Sequence, residues 1–461
     1  MLEKFYFRGK HEPFREDDFR MISEWGFNFV RLPMDYRGYI VDGDWERFDE
    51  AVLKQIDEAV GWGGRYGIHV CLNLHRAPGW TVARPPEETN LWTDAEARRV
   101  AAKHWAMFAR RYKGVPNSRL SFNLFNEPSG IETAAYVAVV TAMLEAIRAE
   151  DPERLVLCDG IEWGRKPVWE FIPMKVGMMT RGYDQFPLTH YKAGWVGGSG
   201  RWPVPRWPDA AGTNGALLGP AKGDISRPVV IEGRVAAGST LRLVLGSVSS
   251  RATVAVAADG EEIWRQEIVA KEGDQRWEKI THKPQWGILQ AEGTVEFTIP
   301  MVRKAKRLEL RTVGGDWCAL SEIGIAGPDG DDVSVALENQ WDAEQEVLHY
   351  NPDSDAGPIF GIRRDRAWLR SKTIAPWRKF QQAGGGVMVG EWGVYNKTPH
   401  DVCLRWAEDC LHNWQEAGWG WALWNFRGTF GVLDSGRSDV DYKDYQGHQL
   451  DRKLLELLQR Y

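Results

Sequence analysis

The sequence carries a structural rhythm that is broken once and then resumes. "EDDFRMISEWG" has helical spacing and stops at Gly26, and "FNFVRLP" follows as an apolar strand. "FDEAVLKQIDEAVGWGGRYG" is helical and "IHVCLNLH" is a strand. "DAEARRVAAKHWAMFARRYKG" opens with a capping Asp94 and closes at Gly114, before the strand "RLSFNLFNEP". "TAAYVAVVTAMLEAIRAED" and "RLVLCDG" continue the alternation. Short apolar strands separated by amphipathic helices predict parallel β/α units around a buried sheet.

From about Gly215 the texture changes. "RPVVIEGRVAAGSTLRLVLGSVSSRATVAVAADGEEIW", "GTVEFTIP", "KRLELRTVGG" and "CALSEIGIAG" alternate apolar with small or polar residues and are punctuated by Gly and Asp-Gly turns. Period-two strands at this spacing predict an antiparallel β-sandwich. The first pattern then returns: "RAWLRSKTIAPWRKFQQAG" is helical, "GVMVGEWG" a strand, "DVCLRWAEDCLHNWQEAG" helical, "WGWALWNF" a strand and "DRKLLELLQRY" a last helix. The expected fold class is α/β: a (β/α)8 barrel with a jelly-roll-like sandwich inserted after strand six. The barrel is expected over 1–214 and 346–461, and the insert over 215–345.

Bulk properties narrow the function. A chain of 461 residues with a net charge of −6 and interspersed charges has no basic footprint for nucleic acid. No apolar run is long enough to span a membrane, and "MLEKFYFRGKHEPF" contains no apolar signal core. The compartment is left open: cytoplasmic as written, secreted if a leader has been trimmed. The five cysteines are scattered and imply no disulfide framework. Cys403 and Cys410 lie two turns apart in a helix with no histidine arrangement for zinc. Neither a metal nor an organic cofactor is expected. The 24 tryptophans are unusual. Most belong to cores, but those in "APGW", "GGSGRWPVPRWP" and "GEWG" sit beside Gly and Pro in loops, where indole faces suit the C–H faces of sugar rings.

In parallel barrels the reactive residues sit at the C-terminal ends of the strands. Those ends read Arg31, His75, Asn126 with Glu127, Asp159, His190 with Tyr191, Glu391, and Trp424 with Asn425. Two carboxylates flanking one bond are the apparatus of glycoside hydrolysis. One must be protonated and the other ionised, so their surroundings must differ. Arg31 beside Glu391 favours a charged Glu391, and apolar walls such as Trp392 or Trp424 disfavour charge on a neighbour. Asp159 in "CDG" reads as a turn aspartate. Trp195, Trp202 and Trp207 read as loop packing or as a sugar platform.

"FNLFNEP" and "GVMVGEWG" resemble the acid/base and nucleophile motifs of glycoside hydrolase family 5, the cellulase-like retaining barrel glycosidases. The resemblance covers the chain outside the insert. It implies that Glu127 is the acid/base, Glu391 the nucleophile, Arg31 the support of the nucleophile and Asn126 the holder of the sugar 2-hydroxyl. It implies further that His75 is the strand-three histidine, His190 the strand-six histidine and Trp424 the tryptophan beneath the sugar. Two features depart from the family. Its strand six carries a histidine and a tyrosine one residue apart, whereas Tyr191 adjoins His190. Its first strand should be ending where "MLEKF" begins. The implied function is cleavage of β-glycosidic bonds in a β-glucan or related saccharide with retention, as in an endo-β-1,4-glucanase. The alternatives are an exo-acting glycosidase on short oligosaccharides and a non-catalytic carbohydrate-binding barrel. Carbohydrate is the expected partner. The insert resembles carbohydrate-binding modules in architecture only. Its attachment point leads to the expectation that it walls the cleft, with the Trp195–Trp207 segment bordering the sugar.

Overall fold

A computed structural model describes residues 6–7, 10–11, 14–220, 227–330, 332–339, 345–353 and 358–461. The chain divides into two units, Met1–Trp207 with Arg366–Tyr461, and Pro208–Asp365.

The first unit is the barrel. Its sheet runs in the order Phe29–Asp35, His69–Arg76, Leu120–Asn123, Val156–Asp159, Gly177–Gly182, Val387–Trp392, Trp421–Leu423. Every neighbouring pair is parallel. These are strands two to eight of the eightfold pattern, and they are numbered so below. Residues 1–5, where the resemblance ends strand one, lie outside the described residues. Tyr6–Phe7 and Lys10–His11 form a separate antiparallel pair.

Helix signals in the sequence are used as written. Asp49 and Asp94 each accept two backbone N–H bonds at the start of the helices Glu50–Tyr66 and Ala95–Arg111, which satisfies donors that the first turn leaves orphaned. In the first of these helices Leu53, Ile56, Ala59, Val60 and Gly63 face the sheet. A Cβ on Gly63 would lie 2.4 Å from Val70 Cγ2, so glycine permits the close approach of helix to strand three. The helix Thr133–Glu150 buries Tyr136, Val139, Val140, Met143, Leu144 and Ile147 on one face in the same way.

The second unit consists of two sheets around its own core. One sheet orders Asp209–Ala211, Ile359–Arg364, Leu348–Asn351, Val229–Val235, Ala305–Gly315, Arg251–Ala258 and Glu261–Val269. The other is built on Thr240–Ser249, flanked by Ile288–Pro300 and Trp317–Ala326. Leu241, Leu243 and Leu245 alternate inward with Val254, Val256, Leu308, Leu310, Ile323 and Ile325, the period-two pattern of a half-buried strand. One pair, Val229–Val235 with Leu348–Asn351, is parallel, which strict antiparallel patterning did not anticipate. The unit is wider than 215–345 because short strands at both ends, Asp209–Ala211 and Ile359–Arg364, pair with each other. Trp277 and Trp317 are buried in it, whereas Trp286 is 67% exposed.

Candidate active site

Barrel strand four delivers Asn126 and Glu127 beyond its last paired residue, Asn123. Glu127 has φ +50°, a left-handed conformation that costs a non-glycine residue energy and is held by its surroundings. Its N–H donates to Asp159 Oδ2 at 2.8 Å, and its Oε1 accepts from Arg181 Nε at 3.1 Å. Burial, then the charge of Glu391, push its carboxyl up to about 7, against the pull of Arg181.

Glu391 comes from strand seven, where the pairing register with strand six shifts between Val389 and Glu391. The bulge at Gly390 makes Glu391 the register partner of Arg181; bulges re-aim side chains in this way beside active sites. Glu391 is 4% exposed. Its Oε2 accepts from Arg31 Nη1 at 2.9 Å and its Oε1 from Tyr183 Oη at 2.9 Å. Burial, then Glu391, push the Tyr183 phenol well above its ordinary range, so it remains a neutral donor.

Arg31 lies inside strand two rather than at its end, and its long side chain is fully buried. Besides Glu391 it donates through Nε to Asn123 Oδ1 at 2.8 Å and through Nη2 to Asn126 Oδ1 at 2.9 Å. Asn123 accepts a second bond from Asn73 Nδ2 at 2.9 Å and donates to Asp159 Oδ1 at 3.1 Å. A buried polar network of this kind stands when its members are satisfied. Asn126 Nδ2 is a buried donor without a protein acceptor among the described residues.

His75 ends strand three near Arg76, with its ring centroid 5.4 Å from that of Trp424. The backbone N–H of Trp424 donates to Trp392 O at 2.7 Å. Trp80 Nε1 holds the backbone carbonyl of Asn126 at 2.7 Å.

Two assignments change. His190 and Tyr191 do not end strand six, which is Gly177–Gly182 and leads into Tyr183. They follow the short helix Phe186–Thr189. His190 stacks on Phe186 at 4.1 Å and lies 5.0 Å from the Tyr183 ring, and Tyr191 is buried. The residues at the strand end are Arg181 and Tyr183, one residue apart. The spacing that the family resemblance requires is therefore present as "RGY", with arginine in place of histidine. An arginine inside an apolar strand looks like an interruption, so "RGY" carries no local signal of a strand end. Asp159 is not a turn residue. It is fully buried and accepts from Glu127, Asn123 and Arg181. The tryptophans after strand six diverge. Trp207 is buried and donates to Asp409 Oδ2 at 2.9 Å. Trp195 is 62% exposed and edges Tyr395 at 4.9 Å and His190 at 6.2 Å.

A sequence profile of the cellulases (glycosyl hydrolase family 5) matches residues 6–175. Endoglucanase C of Acetivibrio thermocellus is 26% identical over 184 residues, 39% of this chain and 53% of that protein. Cellodextrinase A of Ruminococcus flavefaciens is 26% identical over 190 residues, 40% of this chain and 55% of that protein. The chain thus spans about half the length of the curated relatives it matches. A crystal structure of a glycoside hydrolase shares 27% identity across 99% of this chain and 95% of its own, with a TM-score of 0.63. The endoglucanase Cel5A of Thermotoga maritima shares the fold at 17% identity, covering 98% of this chain and 91% of its own, with a TM-score of 0.52. The matched segment carries Arg31, His75, Asn126, Glu127 and Asp159 but ends before Arg181, Tyr183, Glu391 and Trp424. Over residues 6–175, the chain is thus similar to the cellulases of glycosyl hydrolase family 5.

Proposed function

We propose that this protein is a retaining glycoside hydrolase that cleaves β-glycosidic bonds of a β-glucan. One observation carries the reading: two carboxyl groups meet at the barrel mouth in opposite environments. Glu127 is mostly buried, and desolvation and Glu391 push its carboxyl up to about 7, which suits an acid that must hold its proton near neutral pH. Both oxygens of Glu391 receive hydrogen bonds from Arg31 and Tyr183, which suits an ionised nucleophile.

In the first step Glu127 gives its proton to the leaving oxygen as the glycosidic C–O bond breaks. Glu391 bonds to the anomeric carbon. In the second step the Glu127 carboxylate takes a proton from water, whose oxygen displaces Glu391 and restores the starting state. Arg31 and Tyr183 orient Glu391 from two directions. The spare N–H of Asn126 is available to a sugar hydroxyl, and Trp424 with His75 offers an aromatic floor.

The β-glucan assignment follows the relatives, whose names are endoglucanase and cellodextrinase. Product analysis on cellulose, mixed-linkage glucan, mannan, xylan and aryl β-glycosides tests it. Oligosaccharides should be released from a glucan, and none by Glu391→Ala. Release only from a non-glucan polymer would move the substrate, and no release from any would remove the enzymatic reading.

A further inference from the structure

Arg181 is 5% exposed, and three of its contacts define the site. Nε donates to Glu127 Oε1 at 3.1 Å, while Nη2 donates to Asn126 Oδ1 at 3.0 Å and to Asp159 Oδ2. Glu391 Oε2 lies 4.0 Å from Nη2. One guanidinium thus bonds both members of the Asn-Glu pair and stands within ionic reach of the second carboxylate.

The chain around Arg181 is shaped to hold it. In the loop after strand five, Glu162, Trp163 and Gly164 all have positive φ, at +55°, +57° and +78°. Thr180 Oγ1 donates to Gly164 O at 3.1 Å, and a Cβ on Gly164 would lie 2.6 Å from Arg181 Cγ. The other side of the loop is tied to the Glu127 turn: Trp163 N–H donates to Pro128 O at 3.2 Å and Gly130 N–H to Glu162 Oε1 at 3.3 Å. Consecutive left-handed non-glycine residues persist where the surroundings over-determine them. Here those surroundings are the stem of Arg181 and the acid-bearing turn.

The charged and titratable groups that act on Glu127 come from three strands: Asp159 from five, Arg181 and, just past its end, Tyr183 from six, and Glu391 from seven; Arg31 from strand two joins them through Asn126 and Glu391. Burial, Glu391 and Asp159 favour its acid form, and Arg181 opposes them by direct contact. That opposition matters at one stage. While Glu391 is esterified to the sugar it carries no charge, so its push on Glu127 is gone and the pull of Arg181 remains. Glu127 is then needed as a carboxylate.

We propose that Arg181 is a positioning residue for the second half of the reaction. It fixes Glu127 against Asn126 and stabilises the Glu127 carboxylate while the glycosyl group sits on Glu391, so that water is deprotonated there. The inference rests on the double-displacement reading of the site.

The test uses the full-length chain and an activated aryl β-glycoside, whose leaving group needs no acid, so that deglycosylation limits the rate. Arg181→His should show a burst of phenol followed by a steady state about tenfold or more slower, with KM falling alongside kcat as the glycosyl-enzyme accumulates. On an oligosaccharide the alkaline limb of its kcat/KM profile should move upward, because the group that favours the Glu127 carboxylate is gone. Arg181→Lys keeps the charge but not the fork. It should recover part of kcat, with its alkaline limb near that of wild type. If Arg181→His does not fold, a wild-type steady state in Arg181→Lys overturns the proposal. A folded Arg181→His with the wild-type rate, KM and limb overturns it as well. Glu127→Gln is the control for the underlying reading. Loss of oligosaccharide turnover there isolates the question to Arg181, and retained turnover overturns double displacement and the proposal with it.

Discussion

Tyr183 and Arg31 hold opposite oxygens of Glu391, each at 2.9 Å, so the carboxylate is fixed in its plane. The tyrosine bond is a charge-assisted one in a buried site, worth about 1.5–3 kcal/mol. Tyr183→Phe should therefore lower kcat by about 10- to 100-fold with little change in KM. Initial rates on an oligosaccharide measure it, and an unchanged kcat would show that the hydroxyl plays no part.

Glu127→Ala and Glu391→Ala should each remove nearly all turnover on oligosaccharides while the protein still folds. Azide should restore activity to Glu127→Ala on an activated aryl glycoside, giving a β-glycosyl azide, because that leaving group needs no acid. NMR of the first-formed wild-type product should show the β-anomer. An α-anomer would mean inversion and would sink the covalent intermediate.

The carboxylates, Arg31 and Asn126 were legible because each sits at a recognisable point of an apolar strand. Strand six was not. Its charged Arg181 is tolerated inside the sheet only because Glu127, Asn126 and Asp159 accept from it, partners that come from other strands and that no local pattern reveals. The same holds for Asp159: "CDG" has the composition of a turn, and only the positive φ of Glu127 turns a backbone N–H towards that side chain. The insert was legible in its alternation, but its edges were not. Three- to six-residue strands such as Asp209–Ala211 and Ile359–Arg364 carry too few positions to show a period.

Glu127 should make the fold less stable as pH rises. Burial and Glu391 push its folded-state carboxyl up to about 7 from an ordinary value of 4.5, so between these values the native state binds more protons than the unfolded one. Stability from this group is fully present below about 4.5 and is lost as pH climbs through 7, by about 3 kcal/mol at most. Glu127→Gln has no such titration. Its melting temperature relative to wild type should rise between pH 4.5 and 8, and a constant difference would mean that Glu127 is not held as an acid.

Removing Arg31 leaves Glu391 and Asp159 without one of their buried cations. Arg31→Met should cost the barrel about 3–5 kcal/mol, the scale for breaking a buried ion pair from one side. Arg31→Lys should regain part of that stability but little activity, since one ammonium cannot serve Asn123, Asn126 and Glu391 together. Calorimetry separates this from a general effect: the barrel transition should move and that of residues 208–365 should not. A barrel transition at the wild-type temperature in Arg31→Met would show that Arg31 carries no such load.

The insert should be separable. It has its own core, and its first and last strands are neighbours, with Asp209 paired to Arg364 and joined by two hydrogen bonds of 2.9 and 2.6 Å. The barrel ends that it leaves behind are both anchored on the helix His400–Ala417. Trp207 bonds to Asp409 and accepts from Arg405, and Arg366 O accepts from Asn413 at 3.0 Å. Asp409 and Asn413 are one turn apart, roughly 6 Å along the helix axis, so a linker of a few Gly and Ser residues should join Trp207 to Arg366 without strain. Both pieces should then fold: residues 208–365 as an all-β unit with a cooperative melt, and the joined barrel with aryl-glycoside turnover intact. Mixing the isolated insert with insoluble glucan separates its possible roles. Retention on the polymer supports a sugar-binding module. No retention, together with altered product lengths from the joined barrel, supports a part in shaping the cleft. A joined barrel that is soluble and folded but inactive on the aryl glycoside would contradict separability, because every residue assigned to the chemistry lies outside 208–365.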